Sequence, residues 1–398
     1  MSPNEQILQY PLAYETALEP AAKWAELRGT CPVATITVPD GSQAKLLTRY
    51  DDVREMLADP RFARKDLTDG TTSAAADTSE PPFSVPKHGE EHQRWRRMVG
   101  RWFTAKRMAA LRPQMTAIAD QLLDEMTGRG SSGDLKAHFA FPLPVYVICD
   151  MLGVPAEDRD LFSYWSDNFL NLSRYSAQER QTAVGELVAY MSGHIAAKRA
   201  EPTDDLLGTL IEESSGEGEA LTDAELLGTG IGLLVAGHET TANMIGKMVA
   251  MLLADRTRWE RLLENPSLVR STVEEALRFD ANGGFGLRRF LTEDVEIGGE
   301  VLPNGTTVVC AMGAANRDET AFENAAEMDL ARTPNPHLAF GAGPHSCLGQ
   351  ALARTELQVA LEVLLRRLPS LALDIPATDL ERLEGLLVGG LSKVPVRW

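Results

Sequence analysis

Phe340-Gly341-Ala342-Gly343-Pro344-His345-Ser346-Cys347-Leu348-Gly349 sets a cysteine among glycines, immediately ahead of a helical pattern running from Gln350 to Leu365. A sulfur at the start of a helix meets unpaired backbone N–H groups and the positive end of the helix dipole, both of which favour a thiolate. A thiolate held in that way is a good metal ligand. Glycines let the backbone turn tightly and pass close to a flat object. His345, two residues before the cysteine, offers a ring N–H to an anionic group at that object's edge. The other cysteines, Cys31, Cys149 and Cys310, lie scattered without metal-ligand spacing, which argues against a zinc site or a disulfide scaffold and leaves them as core residues.

Haem fits this description, with iron on the sulfur and a propionate at the histidine. The stretch resembles the haem-binding loop of the cytochromes P450, whose pattern Phe-Gly-x-Gly-x-His/Arg-x-Cys-x-Gly it matches at every fixed place through Phe340, Gly341, Gly343, His345, Cys347 and Gly349. The resemblance extends from about residue 10 to the C-terminus and is closest to soluble bacterial members, those of actinobacterial secondary metabolism.

Three further stretches carry the same likeness. His92 and Arg96 are four apart on a helical pattern and share a face, so both can meet one anionic edge; they resemble the family's propionate pair, although a solvated helix face reads the same way. Thr222 followed by Glu225 is a capping box, and the helical period continues to about Leu253. Midway sits Ala236-Gly237-His238-Glu239-Thr240-Thr241, where small residues allow close approach to a cofactor and an acid beside a hydroxyl can relay protons. It resembles the family's oxygen-activation motif. His238 stands at the variable place and is not an expected iron ligand. The plainer reading of Thr240 is a hydroxyl satisfied by the carbonyl four residues back. Glu275 and Arg278, one turn apart on Ser267 to Phe279, match the family's Glu-x-x-Arg, whose implied role is to tie that helix to the segment near Arg332, with His337 as a further member.

Arg289 aligns with a propionate arginine. Before it, Asn282-Gly283-Gly284-Phe285-Gly286-Leu287 departs from the family pattern, and its glycines are expected to leave room for substrate. Residues 66–88 read as a loop over the pocket, with Phe83 and Val85 able to reach inward. Helical patterns fill 108–126, with Pro113 in the first turn, then 144–152, 156–172, 177–200 and 206–213; Trp165, Phe169 and Tyr175 are lid or core aromatics. Val33–Val38 and Ala44–Leu47 read as a hairpin, as does the stretch around Glu384–Gly390, whose tip would enter the pocket.

Composition is that of a globular chain, 44% hydrophobic and 24% charged over 398 residues; no positively charged start leads into an apolar run and no membrane-length apolar run occurs, so neither secretion nor membrane spanning is expected. A cytoplasmic location is expected. A net charge of −18 opposes general nucleic-acid binding. Yet Lys87 to Arg107 carries seven Lys or Arg against Glu90 and Glu91, a local net of +5.

The resemblance implies a mainly α fold with a smaller β-rich portion, the cytochrome P450 fold, treated as one domain over residues 1–398. It implies haem b (iron protoporphyrin IX) on Cys347 and monooxygenation of a small secondary metabolite with O₂ and two electrons from a ferredoxin and its NAD(P)H-dependent reductase. Ala236, Gly237, His92, Arg96 and Arg289 would contact the cofactor, and Glu239 and Thr240 would serve catalysis. Oxidative C–C, C–N or aryl coupling or cyclisation is an alternative outcome. A non-catalytic haem sensor is a further rival, against which the Glu239 and Thr240 pair speaks.

Overall fold

The computed structural model describes residues 7–39, 41–63, 85, 89–170, 175–214, 220–280, 284, 286–383 and 389–398. In chain order they form β1 (Leu8–Gln9), α1 (Ala22–Thr30), β2 (Val33–Thr37), β3 (Gln43–Leu47), α2 (Tyr50–Ala58), β4 (Phe62–Ala63), α3 (Gly89–Gly100), α4 (Ala105–Thr127) and β5 (Ser132–Asp134). A π-helical turn, Lys136–Ala140, then leads into α5 (Pro142–Met151), α6 (Arg159–Leu170), α7 (Ala177–Ala200), α8 (Leu206–Glu213), α9 (Asp223–Ala254), α10 (Arg256–Glu264) and α11 (Val269–Phe279). The remainder is β6 (Leu287–Leu291), β7 (Val295–Ile297), β8 (Glu300–Leu302), β9 (Thr307–Cys310), α12 (Met312–Ala315), α13 (Gln350–Arg367), β10 (Ala372–Leu373), β11 (Arg382–Leu383), β12 (Gly390–Leu391) and β13 (Pro395–Arg397).

Helix α9 is the axis, 32 residues or roughly 48 Å at 1.5 Å per residue. Its start is fixed by the capping box. Thr222 Oγ1 accepts from Glu225 N at 3.2 Å, and Glu225 Oε2 accepts from Thr222 N at 2.8 Å. Its second half is buried almost all round, because α5, α7, α10, α11 and α13 pack against it. Trp95 Nε1 donates to Thr229 Oγ1 at 2.8 Å, which locks α3 to the first half of α9. The largest apolar cluster lies among α3, α4, α5, α7, α9, α11 and α13. Along its edge Arg366 and Arg367 of α13 pair with Asp120 of α4.

Among the described residues the strands form one six-stranded sheet in the order β1-β2-β3-β9-β6-β4, with a three-stranded and two two-stranded sheets. The expected hairpin is present as β2 and β3, antiparallel with Val33 opposite Leu47. β3 then pairs in parallel with β9, bringing residues 45–47 against 308–310. Two smaller apolar clusters fill the sheet's two sides, one with α2 and one with α1.

One expectation shifts, and one open alternative is decided. α4 starts at Ala105 behind Thr104, whose hydroxyl accepts from Arg107 N at 3.3 Å, so Pro113 falls in the third turn and not the first. Pro113 is exposed, and the Ala109 carbonyl left without its N–H faces water at modest cost. Trp165 is core: it is buried, meets the rings of Phe162 and Tyr190, and donates to Glu186 Oε2 at 2.9 Å. Tyr175 donates to Asp167 of α6, while the side chain of Phe169 lies outside the described residues, as does Phe83. Val85 is partly buried and packs against α9 at Gly232.

Candidate active site

The cysteine loop is closed on itself by backbone bonds. Gly341 N donates to Leu338 O at 2.8 Å, Ser346 N to Gly343 O at 3.1 Å, and Cys347 N to Phe340 O at 2.8 Å. Gly343, at φ +67°, leans on the end of α2, where a Cβ would lie 2.5 Å from Ala58 Cα. No other residue fits without moving main chain. The loop delivers Cys347 to the head of α13, behind the capping residue Gly349, with the cysteine exposed. Its sulfur sits in a recess, and this enclosure pushes the thiol up; the Gly349 N–H and the Arg96 and Arg354 cations pull the other way without overcoming it.

From more than 200 residues away, α3 brings its two expected residues to this loop. The rings of His92 and His345 stand 4.5 Å apart between centroids, and Arg96 donates to Ser346 O at 2.5 Å and Ser346 Oγ at 3.2 Å. Leu348 packs on Gly100 at the end of the same helix. Arg289, on β6, is buried, which lowers its pKa, and its Nη1 donates to Arg288 O at 2.8 Å. Phe340 lies under the guanidinium of Arg354, 4.4 Å from its ring centre.

The middle of α9 supplies the other side chains. Thr240 is exposed and donates to Ala236 O at 3.0 Å, leaving its lone pairs to accept. Ala236 shares that exposed side. Gly237 faces Ile148 of α5, so its small size serves helix packing as well. His238 is fully buried, its Nδ1 on Leu234 O at 3.0 Å and its ring edge-on to Phe141; burial lowers its pKa to about 4. It is a neutral core residue. Glu239 is half-buried, and burial raises its pKa from 4.5 to about 7, with Lys136 opposing and Asp167 of α6 reinforcing the rise. An acid half-protonated near neutrality is suited to passing protons.

Behind the loop, Glu275 accepts from Arg278 and from Arg332 Nε at 3.0 Å, the link that the sequence implies. His337 does not join that group. Its Nε2 lies 3.0 Å from Glu274 Oε2, and Arg354 Nε donates to Glu274 Oε1 at 2.8 Å. Burial alone would raise Glu274, but these two partners hold it below the usual carboxylate range. Sequence reasoning missed Glu356 of α13, wholly buried beside Thr241, with burial raising its pKa well above the ordinary value. The signal was an acid on the apolar stripe of Leu352, Val359 and Val363.

Comparison with known proteins decides the family. The family model described as Cytochrome P450 matches residues 160–374. The chain is 43% identical to the mycinamicin IV hydroxylase/epoxidase of Micromonospora griseorubida, over 98% of each chain.

The chain belongs to the cytochrome P450 family.

This P450 is also 40% identical to the nocardicin C N-oxygenase of Nocardia uniformis subsp. tsuyamanensis, over 98% of each chain. Among solved structures it resembles that of the putative thioether synthase SgvP involved in the tailoring step of griseoviridin, at 38% identity and a TM-score of 0.89, covering 99% of this chain and 100% of the other. The fold is the P450 fold, and the activity class is that of a P450 monooxygenase. Family membership implies haem iron, and the residues fit it: an exposed cysteine held by a glycine loop, two histidine rings in contact, and the cations of Arg96 and Arg354 near the cysteine from separate elements. No helix among the described residues is long and apolar enough to cross a membrane.

Proposed function

We propose that this P450 hydroxylates a small organic secondary metabolite, using O₂ and two electrons from a ferredoxin served by an NAD(P)H-dependent reductase, with residues 1–398 acting as one domain. The observation that carries this reading is the pairing of Glu239, raised to about 7, with the exposed hydroxyl of Thr240. The substrate class rests on likeness to the mycinamicin and nocardicin oxygenases.

Haem b, when bound, supplies oxygen activation and the oxidising equivalent. Cys347 would hold its iron, while Arg96, Arg289, His92 and His345 neutralise its carboxylates and Phe340, Gly341 and Gly349 shape the loop beneath it. Ala236 and Gly237 keep α9 thin where the cofactor approaches. Thr240, with its own proton on Ala236 O, accepts a hydrogen bond and so fixes the oxygen side of the site. Glu239 gives up a proton and takes one back, which its pKa allows near neutral pH.

A second reading is oxidative bond formation between parts of one substrate, favoured by the likeness to the structure of SgvP. Candidate metabolites causing a spin-state shift should be turned over with donor, and products examined by mass spectrometry and NMR. Gain of one oxygen atom supports hydroxylation; a joined product without added oxygen overturns it in favour of coupling. Thr240→Ala should keep haem loading and divert electrons to peroxide.

A further inference from the structure

Between α4, α5 and the link from α7 to α8 lies a cavity of about 190 Å³ that includes none of the residues assigned to the haem. Its wall is apolar, made by Met115 and Ile118 of α4 and Val147 and Met151 of α5, all buried. One polar atom there is unanswered. Trp102 lines the cavity at 5% exposure, and its indole Nε1 has no hydrogen-bond partner among the described residues. A buried N–H left so is costly, which marks a place for an acceptor oxygen. Arg107 already covers a face of that ring, 3.1 Å from its centre, so the N–H edge is the part that seeks a partner.

Three carboxylates rim the cavity, and two of them are committed. Asp150 is held by Arg159 and by Gln114 Nε2 at 2.7 Å. Asp205 accepts from Lys198, from Thr203 Oγ1 and from Gly208 N. Asp204 is exposed and forms no ion pair among the described residues. The charge left on the rim is therefore that of Asp204, and it favours a cation.

We propose that this cavity is a second ligand site, taking a small aliphatic ammonium alcohol. The ligand's oxygen accepts from Trp102 Nε1, its hydrocarbon chain lies along the apolar wall, and its cation meets Asp204. At about 190 Å³ the cavity is smaller than the roughly 300–1,000 Å³ of drug-sized sites, so the chain is short. Such a ligand touches two elements that lean on the haem site. Ile148, beside Val147 on α5, packs on α9, where a Cβ at Gly237 would lie 3.6 Å from Ile148 Cδ1. Trp102 closes the turn after α3, its N–H on Val99 O at 3.1 Å, two residues beyond Gly100, on which Leu348 packs beside Cys347. Occupancy of the cavity is thereby passed to the middle of α9 and to the neighbour of the cysteine.

The test uses an ω-hydroxypentyl trimethylammonium salt as probe, whose quaternary nitrogen has no lone pair for iron. It is titrated into isotope-labelled, haem-loaded protein in the reduced CO form, which is diamagnetic. The indole N–H signal of Trp102, assigned by its loss in Trp102→Phe, should move downfield and saturate. Trp102→Phe and Asp204→Asn, each followed by calorimetry, should weaken binding at least tenfold, as should pentanol in place of the probe. The C–O stretching band should shift on saturation in the wild type and stay in place in Trp102→Phe. An indole signal unmoved through the millimolar range, or unchanged affinity in both variants, overturns the site; binding that leaves the C–O band in place overturns its coupling to the haem. The indole signal reads the cavity itself, so its failure is distinct from any failure of the monooxygenase reading.

Discussion

Arg278 and Glu275 meet through two parallel bonds, Nε to Oε2 at 2.8 Å and Nη2 to Oε1 at 2.7 Å, with neither side chain touching solvent. Arg278 also donates to the carbonyls of Asn316, Ala325 and Glu327 at 2.8 to 2.9 Å, so all five of its N–H groups are used. Glu275 accepts in addition from Asp329 N at 2.8 Å and Asn335 Nδ2 at 3.1 Å. The pair thus fastens residues 316–335 to α11. Glu275→Ala would strand a buried guanidinium, and a loss of about 3–5 kcal/mol is expected in denaturant unfolding of the holoprotein. A loss under about 1 kcal/mol would show that the segment is held by other contacts.

Glu239 makes stability depend on pH in a stated direction. Its folded pKa, about 7, lies above its ordinary 4.5, so the folded chain binds the proton more tightly than the unfolded one. The contribution is complete below about pH 4.5 and is lost as pH rises through 7. The charges facing it are Lys136 and Asp167. Glu239→Gln should therefore flatten the fall in stability between pH 5 and 8, by about 1–2 kcal/mol after allowance for partial exposure. An unchanged slope would mean that Glu239 titrates as an ordinary surface acid.

Gly286 is required by the backbone and does not create pocket space, contrary to the expectation from its sequence neighbourhood. It sits at φ +71°, and a Cβ there would lie 2.6 Å from Cys310 O. Strain of the left-handed region and main-chain overlap together predict that Gly286→Ala costs about 2–4 kcal/mol. A variant with wild-type unfolding midpoint but altered ligand-induced spectra would restore the selectivity reading.

The basic segment near the loop is less bare than its net charge implies. Arg94 pairs with Glu225, Arg96 with Ser346, and Arg101 lies 3.5 Å from Glu213, while Arg107 stacks on Trp102. Lys87 lies outside the described residues. Arg97 and Lys106 are both exposed. Arg97→Glu should slow ferredoxin-driven reduction severalfold at low salt, less at high salt, and leave dithionite reduction unchanged. Stopped-flow rates that do not vary with salt or charge reversal would remove the patch.

The cysteine loop, the α9 motif and the Glu275 and Arg278 pair were legible because each is a local pattern with fixed spacing. Their meeting was legible only through resemblance, since His92 and His345 are 253 positions apart and nothing in either stretch names the other. Lys136 could not have been placed, because its partners Glu239 and Leu391 lie 103 and 255 positions further along the chain. Trp165 shows the converse: an aromatic on a candidate lid helix reads alike whether it faces substrate or core, and only the packing of Phe162 and Tyr190 decides.

Cys347 as the haem ligand is the central claim, and the reduced protein under CO tests it most directly. Freshly prepared, correctly folded protein should show the red-shifted main band from which the family takes its name, and Cys347→Ala should lose it. A stable blue-shifted band in the native protein, or the red-shifted band surviving in Cys347→Ala, would contradict the account.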